Sequence, residues 1–304
     1  MNKKSNVRKR KMQSQSMYHA MMVPGMIFLL IFSYIPMFGI IMAFQNYVPA
    51  KGIFGSEFVG LEHFKYMFSL PDIGQIFTNT LIIAIGKIIL GTLMAICFAI
   101  LLNEIRCKFF KKSVQTVVYL PHFLSWVVLA AVVVNMVNLD GVVNIFLEML
   151  GFDKINFLGS NTWFRPMIIL TDVWKEFGYN SIVYLAAITA IDPGLHEAAA
   201  IDGASWWKRV WHITLPGMLP IILLMAAMNL TSILSAGFDQ IYNLYSPMVY
   251  ETGDVLDTYV YRMGMISRQY SFSTAVGLLR SVVGMILMLT ANGLAKKFTD
   301  SKLF

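Results

Sequence analysis

Six long apolar stretches decide the fold class of this chain before any motif is read. A helix rises 1.5 Å per residue, so crossing a hydrocarbon core of about 30 Å takes about 20 mostly apolar residues. The stretches at 18–44, 76–102, 114–137, 166–191, 217–236 and 274–294 all meet that length. Lipid offers no partner to a backbone N–H or C=O, so such runs fold as helices that pair these groups internally. The expectation is an all-α polytopic membrane protein with six transmembrane helices. Composition agrees. Hydrophobic residues make up 57% and charged residues 13%, against about 45–50% and about 25% in a soluble domain. The first stretch follows basic residues, as a secretory signal would. Its apolar core is longer than the usual roughly 7–15 residues and no small-residue cleavage site follows, so it reads as a retained helix.

The net charge of +7 is accounted for by topology. With the N-terminal tail inside, the segments at 1–17, 103–113, 192–216 and 295–304 hold fifteen Lys and Arg, and the opposite segments hold six. Cytoplasmic loops carry the excess of Lys and Arg, so both termini and the segment 192–216 are placed in the cytoplasm. Nucleic acid is not needed to explain the charge. The organisation is then a basic cytoplasmic tail, 1–17, and a membrane domain, 18–304. Chemistry-bearing patterns are sparse. Cys97 and Cys107 form no disulfide framework, and the five His have no metal-ligand spacing. No nucleophile–base set or paired acids stand at membrane depth, so an intramembrane enzyme is disfavoured.

Two segments on the outer side carry structure. Residues 141–151 place Val142, Ile145, Phe146 and Met149 on one helical face and Asn144 and Glu148 on another, which suits a short interfacial or packed helix. Residues 239–273 are rich in Tyr and acidic residues, and read either as a solvated loop or as a docking surface.

The segment 192–216 is unlike an ordinary inner loop. Asp192-Pro193 is a helix start, with an N-cap Asp and Pro at the first helical position. Three Ala follow, favouring helix and close approach. Gly203 permits a bend that other residues resist. Ser205 is placed to cap a second short helix, with Trp207, Val210, Trp211 and Thr214 on one face and Lys208, Arg209 and His212 on another. Pro216 marks the return to the membrane. The product is a stiff helix–bend–helix facing the cytoplasm, shaped for a soluble partner.

The pattern Glu197-Ala198-Ala199, then Gly203, then Ile213-Thr214-Leu215-Pro216 resembles the signature of permease subunits of binding-protein-dependent ABC importers. Nearly the whole chain is similar to the carbohydrate class of that family, the LplB-type lipoprotein-linked sugar permeases and the maltose permease family. The segments FVGLEHFKYMF, YLPHFLSW and FDQIYNLYSPMVYETGDVLDTYVYRMG carry that similarity. The resemblance implies a non-catalytic transport subunit in the bacterial cell membrane. It pairs with a second permease, which is a different chain in most such importers, and with a dimer of ATPases. An extracellular solute-binding lipoprotein delivers an oligosaccharide or polysaccharide fragment. ATP and Mg would be held by the ATPases, and this chain has no Gly-rich phosphate loop of its own. The resemblance assigns Glu197 to ATPase contact, Ala198 and Ala199 to close packing and Gly203 to the bend. Ile213, Leu215 and Pro216 complete the coupling motif. ATP-driven closure of the ATPases would then switch the pore by alternating access.

Ionisable groups inside spans are candidates for the sugar path. In the fourth stretch Asp172, Glu176 and Tyr179 share a face by their spacing, beside Trp174, Lys175 and Asn180. Lys175 and Glu176, adjacent in sequence, are expected to point differently. In the fifth stretch Asn229, Ser232 and Ser235 recur every third residue. Both sets read either as a wall of the path or as glue between helices, and the resemblance favours the wall. Lys87 near mid-span reads as structural, and Arg280 as snorkelling toward an interface. An ATP-independent secondary carrier or channel is the competing function, and it leaves the Glu-Ala-Ala loop unexplained.

Overall fold

The computed structural model describes residues 17–231 and 233–299. The basic tail up to Ser16, and Ser232, lie outside the described residues. The chain divides into two compact units, Met1–Met67 with Met263–Leu278, and Phe68–Arg262 with Leu279–Phe304.

In the first unit, α1 (Met17–Phe44) is 28 residues long and almost wholly apolar. It widens to a π-turn over Leu30–Tyr34 and tightens to a 3-10 turn over Phe38–Phe44. Pro36 follows the π-turn. Proline has no N–H to donate and its ring crowds the carbonyl four residues back, so a wider turn lets the helix continue. A small antiparallel pair comes next, β1 (Gln45–Asn46) and β2 (Glu57–Phe58), in the register Gln45↔Phe58. Then comes α2 (Glu62–Ser69). Residues 263–278 complete this unit. Ser271 Oγ accepts from Tyr47 N at 2.9 Å, and Tyr66 meets Phe272 edge-on.

The second unit is built on α3 (Asp72–Glu104) and α7 (Asn161–Thr189), which lie along each other more extensively than any other pair. Around them run α4 (Lys108–Tyr119), α5 (Trp126–Val137), α6 (Val142–Met149), α8 (Pro193–Ile201), α9 (Trp206–Thr231), α10 (Phe238–Leu244) and α11 (Leu256–Tyr261). The final helix, α12 (Tyr270–Thr299), gives this unit its residues from Leu279 onward. Two apolar cores form along the central pair. One gathers Ile83, Val133, Phe164, Ile168 and Leu244. The other, toward α8, gathers Ala95, Ala99, Tyr184, Val210 and Met218. On α3 and α7 the charged residues Lys87, Asp172 and Glu176 stand between these cores in sequence.

Among the described residues, five helical stretches are long and apolar enough to cross a membrane: Met17–Phe44, Asp72–Glu104, Trp126–Met149, Trp206–Thr231 and Tyr270–Thr290. Only 6–28% of their apolar windows are buried within the chain. Apolar surface on that scale faces lipid or another chain. The fourth expected span falls on α7, whose 29 residues give about 44 Å of helix. Its charges at Arg165, Asp172, Lys175 and Glu176 keep it out of the apolar class.

The third expected span, 114–137, is not one helix. α4 ends at Tyr119, a 3-10 turn covers Leu120–Phe123, Leu124 is extended, and α5 starts at Trp126. Pro121 withholds an N–H, and Ser125 is the N-cap of a fresh helix. The fifth span is also displaced. Its helix begins at Trp206, passes Pro216 through a π-turn over Val210–Thr214 and is described as far as Thr231.

The short helix at 141–151 forms as α6, with its polar face split: Glu148 is exposed and Asn144 is turned inward. Asn144 is fully buried, donating to Asn138 O at 2.8 Å and Ile155 O at 2.9 Å and accepting from Ile155 N at 2.8 Å. Val142, Phe146 and Met149 point outward. Residues 239–262 are no solvated loop. Gln240, Ile241, Val249, Val255, Leu256 and Thr258 are buried, and Asn79 of α3 donates to Glu251 O and Asp254 O, both at 3.0 Å. Asp254 pairs with Arg262, which also lies over the Tyr250 ring at 4.7 Å. Burial pushes the Asp254 carboxyl above its ordinary range, while Thr258 and Arg262 draw it back.

Candidate functional site

Three helices bring polar residues together at one level of the second unit. They do so by the same rule, since residues four apart share a helix face. α7 presents Asp172, Glu176, Asn180 and Tyr184, α3 presents Lys87 and Gly91 with Thr92, and α9 presents Met225 and Asn229. Together they line a pocket of about 150 Å³.

The charges in this layer are paired. Lys87 Nζ lies 3.1 Å from Asp172 Oδ1. It also donates to Ala236 O at 2.7 Å and to Gln240 Oε1. Lys175 Nζ lies 2.7 Å from Glu176 Oε1 and donates to His122 O at 2.9 Å. Glu176 Oε2 in turn meets His122 Nδ1 at 2.6 Å. Lys175 and Glu176 therefore converge, because the break after Phe123 brings a carbonyl and an imidazole between them. The His122 ring stacks flat on Tyr179, with centroids 3.8 Å apart. Two ammonium groups against two carboxylates leave this layer without net charge, as an ion-bearing layer between apolar cores requires.

Of the pathway candidates, Asp172, Glu176 and Asn229 line the pocket. Tyr179 is spent on His122, and Trp174 is 47% exposed and not among the lining residues. Ser232 is outside the described residues. Lys87, Thr92 and Tyr184 are lining residues that the sequence reading did not select. For Lys87 the signal was present, since a charge at mid-span needs a counter-ion and Asp172 is at matching depth in another span. His122 lies at a helix break that apolar content does not reveal.

The second candidate region is the loop after α7. Asp192 caps α8 by accepting from Gly194 N at 2.9 Å. At the other end Ala204 N donates to Ala199 O at 2.8 Å and Gly203 N to Ala200 O at 3.1 Å. With Gly203 at φ +75, this is a Schellman close, in which a left-handed residue ends the helix. Glu197, Ala198 and Gly203 are exposed, and Ala199 and Ile213 are half-buried. Leu215 packs on the core beside α8, and Pro216 is exposed. Leu195 and Ile201 stand 53% and 87% exposed. The anchor of the following helix is Trp206 with Val210, which pack on that same core. Trp207 and Trp211, expected beside Val210, face outward instead. The residues one turn apart, 206, 210 and 214, form the inner stripe.

Residues 87–300 match the family of binding-protein-dependent transport system inner membrane components. The polygalacturonan/rhamnogalacturonan transport system permease protein YteP of Bacillus subtilis (strain 168) is 42% identical over 99% of this chain and 95% of its own length. Protein LplB of the same bacterium is 40% identical over 94% of this chain and 90% of its own. Among solved structures, a chain from a bacterial ABC transporter involved in the import of the acidic polysaccharide alginate superposes with a TM-score of 0.87 at 39% identity. That match covers 95% of this chain and 98% of the other. The chain thus belongs to the family of binding-protein-dependent transport system inner membrane components, the permeases of ABC importers.

Proposed function

We propose that the chain is one of two pore-forming permeases of an ATP-driven importer in the bacterial cell membrane, and that its cargo is an oligosaccharide or a polysaccharide fragment. Six spans cross the membrane in this reading, with α7 as the fourth. Both termini and the loop 192–216 lie in the cytoplasm.

The observation that carries the proposal is the shape of that loop. It is a capped, Schellman-closed helix that presents Glu197, Ala198 and a nearly naked Ile201. A large apolar side chain held out on a stiff knob is what an aromatic- or aliphatic-lined cleft on a soluble partner would take. The partner is an ATPase, which supplies the ATP and Mg chemistry. Ile213, Leu215 and Pro216 tie the knob to α9, so displacement of the knob passes directly into a helix that carries Asn229. Asp172, Glu176 and Asn229 then act on cargo hydroxyls as hydrogen-bonding groups of a pathway wall. A second permease, a different chain, supplies the facing wall, and an extracellular binding lipoprotein supplies the cargo. The names of YteP and of the alginate transporter support a saccharide cargo.

Co-purification tests the loop. Expressed with its neighbouring transporter genes, the wild-type chain is expected to retain an ATPase subunit through detergent extraction. Ile201→Glu, a fully surface substitution that spares the fold, is expected to lose it. Retention of the ATPase by Ile201→Glu at wild-type yield would remove the loop from the interface.

A further inference from the structure

α9 is described as far as Thr231, and residues 233–237 are not helical before α10 begins at Phe238. Leu234 and Ala236 within this gap are 5% and 1% exposed. Non-helical backbone buried at membrane depth needs partners for its carbonyls, or each costs several kcal/mol. Two cations on two other helices supply them. Lys87 of α3 donates to Ala236 O at 2.7 Å, and Arg280 of α12 donates through Nε to Leu234 O at 3.2 Å. Each cation has its own carboxylate, Asp172 for Lys87 and Asp257 for Arg280. An ammonium has three N–H groups, and Lys87 directs them to Asp172, Ala236 O and Gln240 Oε1. Gln240 passes the tie on to α7, donating to Ile168 O at 2.7 Å and Thr171 Oγ1 at 2.8 Å. Gly237 sits at φ +94, and a Cβ there would stand 2.9 Å from Lys87 Nζ. The backbone at this point is therefore shaped around the ammonium.

We infer that Lys87 and Arg280 are positioning residues of the transport cycle, which pin the unwound stretch 233–237 against α3, α7 and α12 and so hold the far end of α9, with Asn229 four residues before that stretch, in register with the pocket wall. The inference rests on the reading of that pocket as the cargo path. Lys87 lines the pocket, yet its donors are engaged by the protein, so it shapes the wall rather than binding cargo. Neutralising an aspartate would be done equally well by deleting both charges. Holding a carbonyl would not.

Paired neutral variants separate the two roles. Lys87→Met with Asp172→Asn, and Arg280→Met with Asp257→Asn, leave no lone buried charge, so they fold where the single Met variants fail. Ala236→Cys, in a chain whose exposed Cys97 and Cys107 are replaced by Ser, reports on the stretch through maleimide labelling. The assembled importer in sealed proteoliposomes, with its second permease, ATPase and binding protein, reports uptake of oligosaccharide per ATP hydrolysed. Each paired variant is expected to label about tenfold faster or more, the loss of one charge-assisted hydrogen bond, and to lose uptake per ATP by a similar factor. Wild-type labelling and coupling in both paired variants would overturn the inference. A wild-type importer that takes up no oligosaccharide would defeat the functional reading, while the labelling comparison would still decide whether the cations hold the stretch.

Discussion

Lys175 shows how much one side chain can carry in this setting. Its side chain is 7% exposed, and its ammonium satisfies both Glu176 and the carbonyl of His122. Lys175→Met would strand both, and removing one partner of a buried pair costs about 3–5 kcal/mol. The melting temperature of the purified chain is expected to fall by about 10 °C, and Lys175→Met with Glu176→Gln is expected to recover most of it. A single variant that melts like wild type would mean that the pair contributes nothing. Asn144 poses the same question without charge. Asn144→Ala empties a site in which one amide holds two backbone segments, 137–138 and Ile155, and a loss of about 1–3 kcal/mol is expected, read as an earlier melt. Charged and amide residues inside apolar runs are visible in the sequence, but their partners are not. Lys175 was legible as an oddity, whereas the His122 carbonyl that explains it depends on a break whose position the apolar pattern hides.

At the scale of elements, hydrophobic length located most helices well, because lipid imposes it on every span alike. It failed where proline and capping act inside a uniformly apolar run. Pro121 and Ser125 divide the stretch at 114–137, and a run of Val, Leu and Phe on either side looks the same whether or not the helix is continuous. Proline alone is no guide, since Pro36 and Pro216 are both passed. In each case a π-turn, Leu30–Tyr34 or Val210–Thr214, ends two residues earlier. The α8 element was legible in detail, since Asp192, Pro193 and Gly203 are start and stop signals with fixed chemistry. Its C-terminal close gives a direct test. Gly203→Val places a β-branched residue at φ +75, at a cost of about 1–2 kcal/mol. The ATPase rate of the assembled importer is expected to lose most of its stimulation by loaded binding protein, while the amount of assembled complex falls by less than half. An unchanged stimulation would mean that the bend does not transmit motion.

At the scale of the molecule, a neutralised polar layer between two apolar cores is flanked on one side by a stiff exposed knob. The layer was partly legible, through Asp172, Glu176 and Asn229, because charges in a span demand a reason. Its closure by Lys87 and by the stretch 233–237 was not, because both depend on contacts between residues about 150 apart in sequence. The central claim is that the knob at 193–201 passes ATP-driven motion to the layer. Its most direct test is sugar-stimulated ATP hydrolysis by the importer reconstituted in nanodiscs, with wild type beside a Glu197→Ala, Gly203→Pro variant. The account predicts stimulation by loaded binding protein in the wild type and near-basal hydrolysis in an equally assembled variant. Equal stimulation of both would contradict it.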